Sequence, residues 1–241
     1  MLTVTMSAAT PKIKLYTNHN CPWAHRAHIA LAELGLPFEE EIIDLSVPRT
    51  QEYLKINPRG LVPSLSYDGE IITESAIVSQ FLADAHPSHL LPAAGSKDAA
   101  LRRARINFFV DTYFSKANSL LFKLQLAKSD AEAQEIASSY VDIIAKEIEP
   151  LLKDVAPYFG GSDKATLAEV LTGSFTLRLF SFAKYGLIPK GILSSLEQKA
   201  PSFYKWAQTV NDTPSVNGIY EEETIVERTK HRIASLKASQ A

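Results

Sequence analysis

The chain has 241 residues, 46% of them hydrophobic, which is enough to bury a core without disulfide bonds and excludes a disordered or fibrous protein. Its 25 lysine and arginine residues nearly cancel its 27 aspartate and glutamate residues, which excludes the broad positive field that draws nucleic acid or an anionic membrane. One cysteine cannot form an intramolecular disulfide, no apolar run nears the roughly 20 residues that span a bilayer, and residues 1–11 carry no targeting pattern, so a cytoplasmic protein with one free thiol is expected.

In chain order, residues 13–16 read as a short strand and residues 22–34 as a helix, with proline at its first position and Gly35 as its stop. Residues 38–43 form a second predicted strand, making a βαβ unit whose two strands are parallel. A second helix is expected over about residues 50–56, before Asn57-Pro58. Strands over 64–67 and 70–73 flank Asp68-Gly69, a hairpin signal that pairs them antiparallel. A helix over 75–85, with Ile77, Val78, Phe81 and Leu82 on one apolar stripe, completes the order βαβαββα.

Residues 86–96 hold two prolines and a glycine and suit a linker. Beyond them, helical periodicity predicts segments over about 99–127, 131–155 and 167–185, with shorter pieces near Leu193 and over 203–210. Gly160-Gly161 breaks the chain before Thr166-Leu167-Ala168-Glu169, which has the spacing of a capping box. The expected organisation is an α/β domain over residues 1–92 and an all-helical domain over 97–241.

Cys21 stands just before Pro22, so its sulfur lies at the mouth of the first helix, where unpaired N–H groups favour thiolate over thiol. A lone cysteine is most often a buried structural residue. The strand-to-helix turn argues for a nucleophile instead. Cys21-Pro22-Trp23-Ala24 matches a Cys-x-x-Cys motif whose second cysteine is alanine, so a disulfide on Cys21 must be resolved by an external thiol. His19, Cys21, His25 and His28 raise the question of a zinc site, but His19 precedes the turn and no second cluster closes the set, so no metal is expected. Arg26 either adds positive potential near the sulfur or is a solvated surface residue.

Pro63 follows a Pro-Arg-Gly turn and precedes a strand. Most prolines in such a place are trans. Together with Cys21 the cis form is expected, in a turn that leaves the Val62 N–H and C=O free for an extended ligand. Thr73-Glu74-Ser75 joins a strand to a helix start, either as a plain N-cap or as an anion site where Glu74 also holds an ammonium. The head group of an α-amino acid matches the second reading.

Asn20-Cys21-Pro22-Trp23-Ala24, Asn57-Pro58-Arg59-Gly60-Leu61-Val62-Pro63 and Thr73-Glu74-Ser75-Ala76-Ile77 stand in an order and at a spacing that resemble the cytosolic glutathione transferases. The likeness covers nearly the whole chain, and cysteine rather than serine or tyrosine at the active position points to the omega-like branch. The resemblance implies a thioredoxin-like domain followed by a helical domain that supplies the second-substrate pocket. It implies Cys21 as the catalytic thiolate, and Val62 beside cis-Pro63 pairing with the glutathione backbone. Glu74 and Ser75 would bind its γ-glutamyl end. Arg49, where omega-like members usually carry lysine, would hold the glycyl carboxylate. Trp23 belongs to the same glutathione-binding set, where phenylalanine is common. Phe109, Tyr113 and Phe182 are expected to line the second-substrate pocket.

The implied activity is glutathione-dependent thiol transfer or reduction, on dehydroascorbate or on S-glutathionyl or S-phenacyl compounds. One alternative is conjugation of glutathione to a bulky electrophile, which a competing Cys21 disfavours. Another is a non-catalytic binding module, which the retained cysteine and ligand positions disfavour. Glutathione would be a co-substrate, and the resemblance implies a homodimer with subunit contacts from the helices beginning at Ser75 and Ala99.

Overall fold

A computed structural model of the chain describes residues 10–238, so most of the 1–11 segment read above lies outside the described residues. The first part runs β1 (Ile13–Thr17), α1 (Pro22–Leu34), β2 (Glu39–Ile42), α2 (Gln51–Ile56), β3 (Ser64–Tyr67), β4 (Glu70–Thr73) and α3 (Ser75–Ala85), in the expected order. β1 is parallel to β2 and antiparallel to β3, and β3 is antiparallel to β4, giving the sheet order β2-β1-β3-β4. The central strands carry the buried residues Ile13, Leu15 and Leu65, each worth about 1.5–3 kcal/mol of burial. The edge strand β2 exposes Glu39, Glu40 and Glu41, charges that keep a bare edge from pairing with another chain. α1 begins with proline and ends at Gly35, whose φ of 60° supplies the left-handed stop.

The second part is helical: α4 (Ala99–Thr112), a π-helical turn (Tyr113–Asn118), α5 (Ser119–Gln125), α6 (Asp130–Ile143), a second π turn (Ile144–Ile148) and short 3₁₀ turns at Glu149–Leu152 and Phe159–Gly161. Then follow α7 (Leu167–Lys184), α8 (Gly191–Lys199), α9 (Pro201–Asn211), α10 (Pro214–Asn217) and α11 (Glu222–Ala238). α7 is the axis of this part, buried along most of its length and packed on α1, α3, α4 and α9. Its capping box forms as expected between Thr166 and Glu169. The buried Glu169 carboxylate accepts from Phe159 N (2.8 Å), Thr166 N (2.8 Å), Thr166 Oγ1 (2.7 Å) and Trp206 Nε1 (2.7 Å). One continuous apolar core joins the sheet, α1 and α3 to the helices of the second part.

Two expectations are corrected and one helix is added. Ile77 does not belong to the buried stripe of α3: it is 58% exposed, while Val78 and Leu82 are buried. The long segments expected over 99–127 and 131–155 are broken by π turns, which no 3.6-residue periodicity reveals. α11 was not foreseen. Charged residues surround it and only Ile225 and Val226 are buried, so it has little apolar stripe to read.

Candidate active site

The turn between β1 and α1 presents Cys21 as the N-cap residue of α1, with extended backbone and a half-buried side chain. Its N–H bonds to the Asn18 carbonyl (2.9 Å) and its own carbonyl accepts from His25 N (3.1 Å), so the backbone is fixed on both sides. The sulfur makes no capping hydrogen bond to the helix among the described residues. It touches a small apolar cluster of Tyr16, Ala24, Ile43, Tyr53 and Val62.

The Val62–Pro63 bond is cis, as expected. The loop before it is held by side chains of α2 and its flanks. The Leu61 carbonyl accepts from Tyr53 Oη (2.5 Å) and Asn57 Nδ2 (2.9 Å), and Arg49 Nε donates to Gly60 O (3.0 Å). Arg49 Nη1 also donates to the carbonyls of Asp44 (2.7 Å) and Val47 (2.5 Å). Gly60 has φ 64°, and a Cβ there would meet Arg49 Cγ at 2.9 Å, so glycine is required for the arginine to lie across the turn.

Glu74 is the N-cap of α3 with φ 70°, a left-handed conformation that costs a non-glycine residue free energy and is most often kept at ligand sites. Its carboxylate pairs with Arg59. Ser75 is buried, and its hydroxyl accepts from Arg26 Nη1 (3.1 Å). A cavity of about 410 Å³ brings together Cys21, Trp23, Arg49, Val62, Pro63, Glu74 and Ser75, with Arg26 and Leu45 also on its wall. A larger cavity, about 800 Å³, lies between residues 88–93 and α4 and holds none of the predicted site residues.

Phe109, Tyr113 and Phe182 line neither cavity. All three are core residues: Phe109 packs on Phe159 and Trp206, and the Tyr113 ring on Phe114. The aromatic residues that reach the site are instead Phe114 and Phe175, which pack against Trp23 at ring distances of 5.5 and 4.8 Å. Tyr113 and Phe114 are adjacent at the start of the π turn and point to different sides of the helix, Tyr113 into the core and Phe114 toward Trp23.

Two arginines also stand beside the cysteine. Arg26 is 4% exposed, which settles its two readings against a solvated surface residue. Its guanidinium lies over the rings of Trp23, Phe114 and Phe175 and donates to Leu171 O (2.7 Å). Burial pulls it down to about 9, opposed by Tyr113 and Cys21. Arg178 donates to Ser174 O (2.9 Å) and Asn20 O (3.2 Å) and lies over Tyr220. Burial pulls it down to about 10, opposed by Tyr220 and Cys21. The sequence offered one signal for Arg178, a lone cation inside an otherwise apolar stretch of α7. The buried His25 ring is held well below its ordinary value by burial first and by Arg178 next, and so stays neutral. His28 is pushed down to about 4, by burial and then by His19.

Among known proteins, residues 20–85 match the glutathione S-transferase N-terminal domain. A probable glutathione S-transferase, GSTU1, of Oryza sativa subsp. japonica is 31% identical over 217 residues, covering 83% of this chain and 88% of the relative. The crystal structure of rice GST1 in complex with glutathione superposes with a TM-score of 0.80 at 28% identity, over 95% of this chain and 99% of that one. Glutathione transferase Omega 2C from Trametes versicolor gives a TM-score of 0.79 at 27% identity, over 92% and 99%. With the thioredoxin-like sheet, the helical second domain and this extent of sequence identity, the chain belongs to the glutathione S-transferase family.

Proposed function

We propose that the protein is a glutathione-dependent thiol transferase of the omega-like, cysteine-type branch, with Cys21 as its nucleophile. The observation that carries this reading is the convergence of Cys21, Arg49, Val62, Pro63, Glu74 and Ser75 on one cavity. In the proposed cycle the Cys21 thiolate attacks the glutathionyl sulfur of a mixed disulfide. A Cys21–glutathione disulfide forms and the substrate leaves as a thiolate. A second glutathione thiolate then attacks the glutathionyl sulfur, releasing oxidised glutathione and the Cys21 thiolate. Since the chain holds no other cysteine, that second thiol must come from outside.

In this reading the Val62 backbone pairs with the extended tripeptide and Ser75 and the N-terminus of α3 take the γ-glutamyl carboxylate. Glu74, already paired with Arg59, supplies negative charge for the ammonium. Arg49 holds the glycyl carboxylate. Trp23 closes the cavity toward the helical domain. Dehydroascorbate and S-glutathionyl or S-phenacyl compounds are the proposed second substrates. The cytoplasm, where an unpaired thiol stays reduced, is the proposed place of action; among the described residues no helix is long and apolar enough to cross a membrane. A homodimer is proposed because Ile71, Ile77, Leu101 and Phe108, on β4, α3 and α4, are 40–60% exposed, an apolar surface that suits a subunit contact.

A second reading, conjugation of glutathione to an electrophile, is favoured by the aromatic wall of Trp23, Phe114 and Phe175, which suits a bulky apolar partner. Intact mass spectrometry separates the two. Under oxidised glutathione the protein should gain one glutathione on Cys21 and lose it on adding reduced glutathione, while Cys21→Ala gains none and loses disulfide reductase activity. A thiol that stays unmodified in a protein that still conjugates an aryl halide would replace thiol transfer with conjugation.

A further inference from the structure

His19, His28 and Glu40 come from three different elements, the β1–α1 turn, α1 and β2, and their ligand atoms lie within 4.8 Å of one another. His19 Nε2 is 2.7 and 2.9 Å from the two Glu40 oxygens, and His28 Nε2 is 3.8 Å from Glu40 Oε2. The two imidazole rings meet edge to face with centroids 5.2 Å apart. Neither Cys21 nor His25 belongs to this group, and none of its three members lines the cavity at Cys21. Sequence spacing had suggested the histidines but could not supply the carboxylate, which reaches them only because β2 pairs in parallel with β1.

We propose that these three side chains form a binding site for one divalent transition-metal ion of the zinc type. An ion about 2.1 Å from each ligand in a tetrahedral arrangement sets the ligand atoms roughly 3.4 Å apart. Glu40 must therefore retreat from His19, now at 2.7 and 2.9 Å, by about 0.5–0.7 Å, and close on His28, now at 3.8 Å, by about 0.4 Å. The side chains that have to move are the accessible ones: His19 is 39% and Glu40 27% exposed, while His28 is fixed by burial at 4%. Two imidazoles and one carboxylate select zinc, cobalt or nickel over calcium and magnesium, which prefer oxygen throughout. The fourth position is left to water: coordination takes the His28 Nε2 lone pair, so the Thr17 hydroxyl, now 2.9 Å from that nitrogen, gives up its bond there and can turn to the water instead. Because His19 lies two residues before Cys21, an ion here ties the turn that carries the cysteine to strand β2.

The test is cobalt binding to the tag-free, chelator-treated full chain, read by visible d–d absorption and by metal content after dialysis. The expected result is about one cobalt per chain, displaced by zinc, with a rise in thermal midpoint. Affinity should fall by more than about tenfold in Glu40→Gln and in His19→Ala. It should be unchanged in Cys21→Ser, with no thiolate-to-cobalt charge-transfer band. His19 and Glu40 are accessible, so these variants keep the fold even if His28→Ala does not. No uptake, uptake equal in wild type, Glu40→Gln and His19→Ala, or uptake lost in Cys21→Ser would each overturn the site.

Discussion

The Ser174 hydroxyl, on α7, donates a 2.8 Å hydrogen bond to the carbonyl of Pro22, the first residue of α1. Arg178 holds the Asn20 carbonyl from the same helix, and one turn along α1 the Arg26 side chain reaches back to the Leu171 carbonyl. The cysteine-bearing turn is thus fastened to the second domain by polar bonds as well as by apolar packing.

Arg26→Ala removes two buried charged hydrogen bonds, to Leu171 O and Ser75 Oγ, and three ring contacts, so unfolding in urea should show a loss of at least about 2 kcal/mol. Arg26→Lys keeps the charge but not the planar stack, and should recover less than half of that loss. A midpoint equal to wild type in Arg26→Ala would mean the contacts contribute nothing net.

Arg49→Ala should weaken retention on immobilised glutathione by about 1.5–3 kcal/mol, or at least tenfold. Because Arg49 also braces the carbonyls of Asp44, Val47 and Gly60, Ser75→Ala serves as an independent check on the other end of the ligand. Unchanged retention in both would remove the proposed binding roles.

Glu169→Ala leaves four donors without their acceptor, in Phe159, Thr166 and Trp206. The expected cost is roughly 3–5 kcal/mol. Trp206 fluorescence should report local loosening before the global transition.

Below pH 6.5 the unfolded chain protonates His25 while the folded one keeps it neutral, so the unfolded state binds more protons. Stability is full above that pH and falls as pH drops below it, by up to about 1.4 kcal/mol per pH unit for this proton. His28, pushed down to about 4, adds a second proton between 6.5 and that value. In chelator, His25→Gln should give a shallower pH dependence than wild type; equal slopes would show that His25 does not titrate on unfolding.

Phe108→Glu places a charge on an exposed apolar residue that shares a face of α4 with Leu101. Light scattering at micromolar concentration should read a dimer for wild type and a monomer for the variant. A monomeric wild type would end the dimer proposal.

The first domain was legible because its signals are local. Asp68-Gly69 sets the hairpin, Pro22 and Gly35 bound α1, and Cys21 and Pro63 sit at element boundaries that the sequence marks. What escaped depends on pairing and on register. Glu40 meets His19 only through strand pairing, and that Phe114 rather than Tyr113 faces Trp23 depends on how α4 and the π turn are rotated against α1. The burial of Arg26, which the sequence left open, and the part played by Arg178 could not be read for a different reason. A cation buried among carbonyls and rings has no acidic partner in the sequence to announce it.

The carbonyls on either side of Cys21, those of Asn20 and Pro22, both end on side chains of α7. A change that slides or tilts α7 therefore drags the sulfur with it. Within this architecture, the packing of the second domain and the aim of the thiol do not vary as separate traits. Side chains of the aromatic wall at Trp23, such as Phe114 at the π turn, can be exchanged while the anchor points on α7 stay where they are.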